Sequence, residues 1–306
     1  MHISRQARIR RNLELRARVI QSIRFFFTQE GYLEVETPVR IPAPAPEAHI
    51  DAQESGEWFL HTSPELCMKR LAASGFEKIF QICKCFRKKE RGDYHLPEMT
   101  MLEWYCANAT YLDIMRECEM LIGDVVRCVQ SDNCIRIGNQ EVDLAPPWKR
   151  LSVSEAFRQY GSLSPEQALA ENRFDEIIGL EVQPHLGWNK PVFLYDFPSA
   201  CAALARRKPQ APELAERFEL FIGGVELCNC FTELTDPEEQ RLRFEAERNH
   251  QRRMNKTTYP LPEPFLRSLP HMPPTAGNAL GVDRLVMLLA NTKRIDDIIA
   301  FTPEEL

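Results

Sequence analysis

Two apolar runs, residues 217–222 and 225–228, flank Gly223-Gly224. That pattern predicts a β-hairpin closed by a two-residue turn. The turn sets the pairing: Ile222 faces Val225, Phe221 faces Glu226, and Glu219 faces Cys228. Glu219 and Glu226 then project from one side as diagonal neighbours. Two carboxylates that close repel each other unless a cation lies between them. A hard cation such as Mg²⁺, shared with substrate phosphates, meets that need. An arginine such as Arg217 on a solvated face meets it equally well.

The rest of the chain repeats the hairpin theme. Residues 79–87 and 99–106 are strand-like and joined by a charged loop, 88–98; residues 135–137 and 141–144 flank Gly138-Asn139. Single strands are predicted at 32–37 and 192–197, ended by Pro38 and Pro198. Helices fall between them. Ile9, Leu13, Ile20, Ile23 and Phe27 recur at helical spacing before Gly31. Ser63-Pro64-Glu65 opens a helix that Gly75 closes, and Thr110 with Asp113 caps one over 111–129. Asp236-Pro237-Glu238-Glu239 starts another to about Met254, and 281–291 forms the last. Residues 151–190 read as short helices and loops, and a polar loop runs from Pro42 to about Glu57. This order predicts an α+β fold on a mainly antiparallel sheet, not a βαβ arrangement. No strand leads into a Gly-rich phosphate loop, which excludes the Walker and dinucleotide fingerprints.

Composition narrows the class. A net charge of −6 over 306 residues argues against an extended nucleic-acid surface, though not against a local basic patch. The longest apolar runs, such as 285–290, cannot cross a bilayer. The Arg-rich start, 1–18, lacks the apolar region of a secretory signal, so a cytoplasmic protein is expected. The ten cysteines form no C-x-x-C pair. They read as reduced thiols, mostly buried. A metal site built from Cys83/Cys85, Cys228/Cys230 and a histidine finds no support in the spacing.

Charged residues in apolar settings mark candidate chemistry. Glu103 lies within the apolar strand Met99–Tyr105, where it needs either a structural cation or a cationic ligand. Asn229 and Glu233, four apart, are expected to share one helical face, as an ammonium site or as a cap with a surface acid. Arg87 ends an apolar strand and offers a bidentate fork for phosphate or carboxylate, or simply begins a solvated loop. His95 lies in the same loop. Arg284 stands where the final helix begins, a position that favours anions; with Asp283 it is equally a cap and ion pair.

Taken in order, these segments resemble the catalytic core of class II aminoacyl-tRNA synthetases, in the lysine branch. The helix and strand ending at Pro38 resemble motif 1. Phe86-Arg87 through Glu103 resembles motif 2, and Gly277 through Arg284 resembles motif 3. Ser63-Pro64-Glu65 and residues 226–234 resemble the lysine-site segments. The resemblance spans nearly the whole chain as a single catalytic domain, 1–306. With motif 1 starting near residue 19, no anticodon-reading OB-fold is expected. That points to the free-standing ligases that attach (R)-β-lysine to elongation factor P. Ala279, where lysyl-tRNA synthetases carry Gly, supports that branch: the resemblance places it at the amino-acid pocket, where a methyl group disfavours α-lysine.

The resemblance implies ATP and Mg²⁺ as cofactors and a homodimer formed through motif 1. It implies that Arg87 bridges the substrate carboxylate and the α-phosphate. Glu219 and Glu226 hold Mg²⁺, and His95 and Arg284 contact the γ-phosphate, with Arg284 also over the adenine. Glu65, Glu103, Tyr105, Asn229 and Glu233 hold the two amino groups. The sequence departs from the pattern at three places. Lys89 stands where the motif 2 glutamate is expected, so a one-residue slip must bring Glu90 to the adenine. Met99 replaces the stacking phenylalanine, and Cys230 replaces a glycine. Two other readings use the same residues: a minimal enzyme of this core acting on tRNA or forming a side-chain amide, and a non-catalytic paralogue. The acidic charge disfavours tRNA. The joint presence of Arg87, Glu219, Glu226 and Arg284 disfavours the paralogue.

Overall fold

The computed structural model describes residues 4–47, 50–130 and 133–306. Its frame is a nine-stranded sheet: β1 (Leu33–Glu34), β2 (Lys78–Phe86), β3 (Glu98–Ala107), β4 (Lys149–Ser152), β5 (Val192–Pro198), β6 (Arg207–Lys208), β7 (Ala211–Ile222), β8 (Val225–Thr232) and β9 (Thr275–Gly281). The spatial order is β1-β2-β3-β9-β8-β7-β5-β4, with β6 beside β7. The end pairs β1–β2 and β4–β5 are parallel. The other pairs are antiparallel, so the α+β expectation holds.

The period-2 alternation of strands gives this sheet two unlike faces. On β3, Leu102, Trp104 and Cys106 point into the main core. Met99, Met101, Glu103 and Tyr105 face the opposite side and line a cavity. The core face is covered by α1 (Arg10–Gln29), α3 (Tyr111–Val129) and α5 (Val282–Leu289). Val19, Ile23 and Phe27 form one stripe of α1; Ile114, Cys118, Leu121 and Val125 form one stripe of α3. Phe27 stacks on Phe80 at 4.9 Å, which fastens α1 to β2. On the cavity side, α2 (Glu65–Ala73) packs with a short helix, Glu263–Ser268, and with Phe244 of α4 (Pro237–Arg253).

The helix signals fall where the sequence placed them. Gly31 takes φ +78° after α1, as a C′ glycine does. Thr110 and Asp113 close their capping box on α3. The Asp236 side chain accepts from the amides of Glu238 and Glu239.

Four expectations are corrected. Of residues 32–37 only Leu33–Glu34 pairs, because this edge strand meets just the start of β2. Within the expected polar loop, Glu54–Ser55 and Trp58–Leu60 form a hairpin about Gly56, joined by Arg40–Ile41; residues 48 and 49 lie outside the described residues. Residues 275–281, not read as a strand, form the central strand β9. Asn229 and Glu233 lie along and just past strand β8, not on a helix, and share a face through the strand period.

The register of the β7–β8 hairpin is also corrected. Ile222 pairs with Val225 and Phe221 with Glu226, but Leu220 then pairs with Cys228 and Glu219 with Asn229. One extra residue on β8 makes a bulge. Glu226 and Asn229 are three apart and would otherwise point to opposite faces. With the bulge, Leu227 and Cys228 both enter the core, and Glu226 and Asn229 both reach the cavity.

Candidate active site

Two cross-strand rows form the cavity floor. Gln81, Glu103, Ala279, Asn229 and Glu219 run side by side across β2, β3, β9, β8 and β7. Beside them run Ile79, Tyr105, Gly277, Phe231 and Arg217. The cavity above holds about 350 Å³. Gly277 is required by this packing. A Cβ there would strike the Tyr105 ring and stand 2.6 Å from Glu233 Oε1.

One end is acidic and buried. Glu103 accepts from Ser63 Oγ at 2.5 Å and from Tyr105 O–H at 3.0 Å. Burial pushes its carboxyl well above the usual range, Glu65 adds to this, and the two hydroxyls oppose it. Glu233 lies just past β8, and burial pushes it up to about 8 despite the nearby Lys69 ammonium. Glu65 opens α2, its amide held by Ser63 Oγ at 3.0 Å. Lys69, one turn on, pairs with Glu65 at 2.5 Å and with Glu233. Burial works against its ammonium, yet Glu233 and Glu65 hold it above its ordinary value. Three carboxyl groups therefore face one ammonium, and full ionisation leaves two negative charges for a ligand to meet.

The other end is cationic and more open. Arg87 follows β2 and lies 3.5 Å from Glu90. Arg87 Nε and Glu90 Oε2 are buried without hydrogen-bond partners. Lys89 takes φ +67° and turns to solvent. Glu90, the next residue, lines the cavity wall. Arg284, on the first turn of α5, donates to the Glu226 carbonyl at 2.8 Å and to His95 Nε2 at 2.7 Å. Burial, then the Arg284 charge, lowers the His95 pKa, so the neutral ring accepts this bond. Met99 lines the same end. Asp283 is drawn away from Arg284. It clasps Arg16 at 2.5 Å and the Thr100 amide at 2.7 Å, so it ties α1 to β3 rather than pairing with its neighbour.

Glu219 and Glu226 share the cavity side of the hairpin, but each has an arginine beside it. Arg217 binds Glu219 at 2.6 Å, and Arg284 approaches Glu226 at 3.4 Å. Burial pushes Glu219 up to about 7; Arg217 opposes this and Glu226 adds to it. Paired hard oxygens whose mutual repulsion is only partly offset fit a Mg²⁺ ion.

The structure thus brings Glu65, Arg87, Glu90, His95, Met99, Glu103, Tyr105, Glu226, Asn229, Glu233, Ala279 and Arg284 to one cavity, with Glu219 in the floor row behind it. Asn229 Oδ1 is buried there with no partner. Sequence reasoning missed Lys69: its i,i+4 spacing from Glu65 allows an ion pair, but a surface pair has the same spacing. It also missed Glu47, which lines the cavity from the loop after β1 and is pushed up to about 7, by burial first and then by Glu65. The two C-x-C pairs do not meet. Cys228 and Cys230 lie in the core, while Cys83 and Cys85 share a cluster with His61.

The family model for class II tRNA synthetases (D, K and N) matches residues 1–305. The chain belongs to this family. Among its relatives, the elongation factor P–(R)-β-lysine ligase of Proteus mirabilis is 37% identical, over 95% of this chain and 94% of its own. The ligase of the same name from Haemophilus influenzae is 36% identical, over 95% and 94%. The lysine–tRNA ligase of Dehalococcoides mccartyi is 36% identical over 94% of this chain, but the match covers only 63% of that protein. The segments that resemble motif 2 fold as β2, β3 and their loop, and those that resemble motif 3 fold as β9 with α5.

Proposed function

We propose that the protein is an ATP-dependent ligase that activates (R)-β-lysine and transfers it to a lysine side chain of elongation factor P. The observation that carries this reading is the acidic end of the cavity. Glu65 and Glu233 share Lys69, and Glu103 accepts from the neutral hydroxyls of Ser63 and Tyr105, which suits a substrate bearing two ammonium groups. The floor methyl of Ala279, between Glu103 and Asn229, sets the depth at which the substrate backbone rests.

In the first step the substrate carboxylate attacks the α-phosphorus of ATP and pyrophosphate leaves. Arg87 neutralises both reacting groups, and its unpartnered Nε is available for this. Glu90 accepts from the adenine amino group, and Met99 packs on the base. Arg284 and His95 hold the terminal phosphate. Glu219 and Glu226 would hold Mg²⁺, which supplies charge neutralisation at the phosphates. No general base is needed, because catalysis rests on position and electrostatics. In the second step the ε-amine of the acceptor lysine attacks the activated carbonyl. AMP leaves and an amide bond forms.

No helix among the described residues is long and apolar enough to cross a membrane; we read the enzyme as cytoplasmic, with one catalytic domain. A homodimer through α1 and β1 is supported by Phe25 and Leu33, both more than half exposed on those elements. The test is intact mass spectrometry of elongation factor P incubated with the protein, ATP and (R)-β-lysine. The expected result is an added β-lysyl group that depends on all three. Charging of lysine tRNA with no change in elongation factor P would overturn the proposal.

A further inference from the structure

Outside the cavity, the densest cluster of metal-ligating side chains among the described residues is His61, Cys83 and Cys85. Their ligand atoms all lie within 4.8 Å of one another, with His61 and Cys85 buried and Cys83 partly so. We propose that these three residues form a zinc site that braces the amino-acid pocket from its β2 side.

The geometry separates this from the two ordinary readings of a C-x-C pair. The Cys83 and Cys85 sulfurs are 3.9 Å apart. Two Zn–S bonds of about 2.3 Å at a tetrahedral angle place the sulfurs about 3.8 Å apart. A disulfide needs about 2.05 Å. The two cysteines are also alternate residues of β2, held by pairing to Met101 and Met99. Alternate strand residues have Cα atoms roughly 6.6 Å apart, near the upper limit for a bridge. Closing a disulfide would therefore buckle the strand that leads to Arg87, whereas a metal fits the strand as it stands.

The histidine is prepared in the manner of a ligand. Its Nε2 donates to the Lys84 carbonyl at 2.6 Å. This places a hydrogen on Nε2 and leaves Nδ1 as the ring nitrogen that can serve as ligand, and a backbone carbonyl is a common outer partner of a ligating histidine. Its own backbone is tied on both sides, to Val39 and to Phe86. The two thiols project from the same face of β2, at hydrogen-bond distance from each other. Gln81 stands next on the same strand face, and its buried Oε1 has no partner. Two thiolates and an imidazole favour a borderline-soft ion over Mg²⁺ or Ca²⁺.

The site joins the two sides of the amino-acid pocket. Cys85 is two residues before Arg87, and His61 is two residues before Ser63, the donor to Glu103. A metal here positions both; it does not touch the substrate.

The test is a Co²⁺ titration of the full chain, stripped of metal by a chelator and kept reduced. The expected result is saturation at one equivalent with a thiolate-to-cobalt charge-transfer band in the near ultraviolet, displaced by Zn²⁺. Cys83→Ser and Cys85→Ser should each weaken binding at least about tenfold and lower the band. Cys128→Ser, at an exposed thiol of α3, should leave it unchanged. Absence of the band in the native chain at saturating Co²⁺ would overturn the proposal. So would a band that persists unchanged in both variants. If the variants fail to fold, the native titration still tests the proposal, because absence of the band overturns it.

Discussion

The two ends of the cavity are built by different means. At the acidic end, Glu103 and Tyr105 rise from paired strands, Glu233 lies just beyond one, and Lys69 comes from a helix packed on the sheet; all four are nearly fully buried. At the cationic end, Glu90 and His95 lie in a loop, and Arg87 and Arg284 sit at element ends with partial exposure. The difference teaches a division of labour. Buried groups on the sheet are rigid and expensive to leave unmatched, so under the proposed function they would discriminate between substrates. Loop and terminal groups can follow phosphates as charge moves, so they would serve the chemistry.

Substitutions can break this division. Arg87→Ala should lower adenylate formation about 10²–10³-fold in single-turnover assays, with little change in the unfolding midpoint, because the side chain is partly exposed. A collapse of stability instead would move Arg87 into the structural class. Lys69→Met should do the opposite. Removing one partner of a buried ion pair costs about 3–5 kcal/mol, visible in chemical denaturation, and addition of the diamino substrate should restore part of it. A stable Lys69→Met protein would show that the acidic end is not energetically tense.

Smaller effects sharpen the comparison. Ala279→Gly should shift the kcat/KM ratio between (R)-β-lysine and α-lysine toward α-lysine by ~1–3 kcal/mol, the usual worth of one methyl group in a pocket. ATP KM should not move, since Ala279 lies in the row with Glu103 and Asn229. The smallest effect is on pH. The folded-state pKa of Glu233 is raised to about 8, so the folded chain keeps a proton that the unfolded chain releases. Its contribution favours folding most below the ordinary carboxylate range and is lost as pH rises from there to about 8. Substrate binding runs the other way, because an ammonium favours the ionised form. Affinity for the diamino acid should therefore rise a few-fold on going up through pH 8, with proton release in calorimetry. Glu233→Gln should flatten both trends.

Much of this molecule was legible before its coordinates. Capping residues act within one turn, so Thr110–Asp113 and Asp236 located their helices directly. The Gly223-Gly224 turn located its hairpin for the same reason. The bulge on β8 was not legible, because it depends on how β8 fits β9 as well as β7, and no local residue announces it. Strand β9 was missed because Gly277, Asn278, Ala279 and Gly281 carry little β-propensity; tertiary pairing on both sides makes the strand. The candidate site residues were proposed from ordered motifs, and the structure gathers most of them at one cavity. The counter-charge Lys69 was not among them, since nothing in a helical Leu66-Cys67-Met68-Lys69 run says that the lysine is buried.

The account stands on the claim that the buried acidic end selects a substrate with two ammonium groups. Amino-acid-dependent ATP–pyrophosphate exchange tests this directly, with (R)-β-lysine, (S)-β-lysine, α-lysine, norleucine and aspartate compared at equal concentration. The account predicts strongest exchange with (R)-β-lysine, weaker exchange with α-lysine, and none above background with norleucine or aspartate. Exchange with norleucine equal to that with lysine, or no exchange with any of them in folded protein, would contradict it.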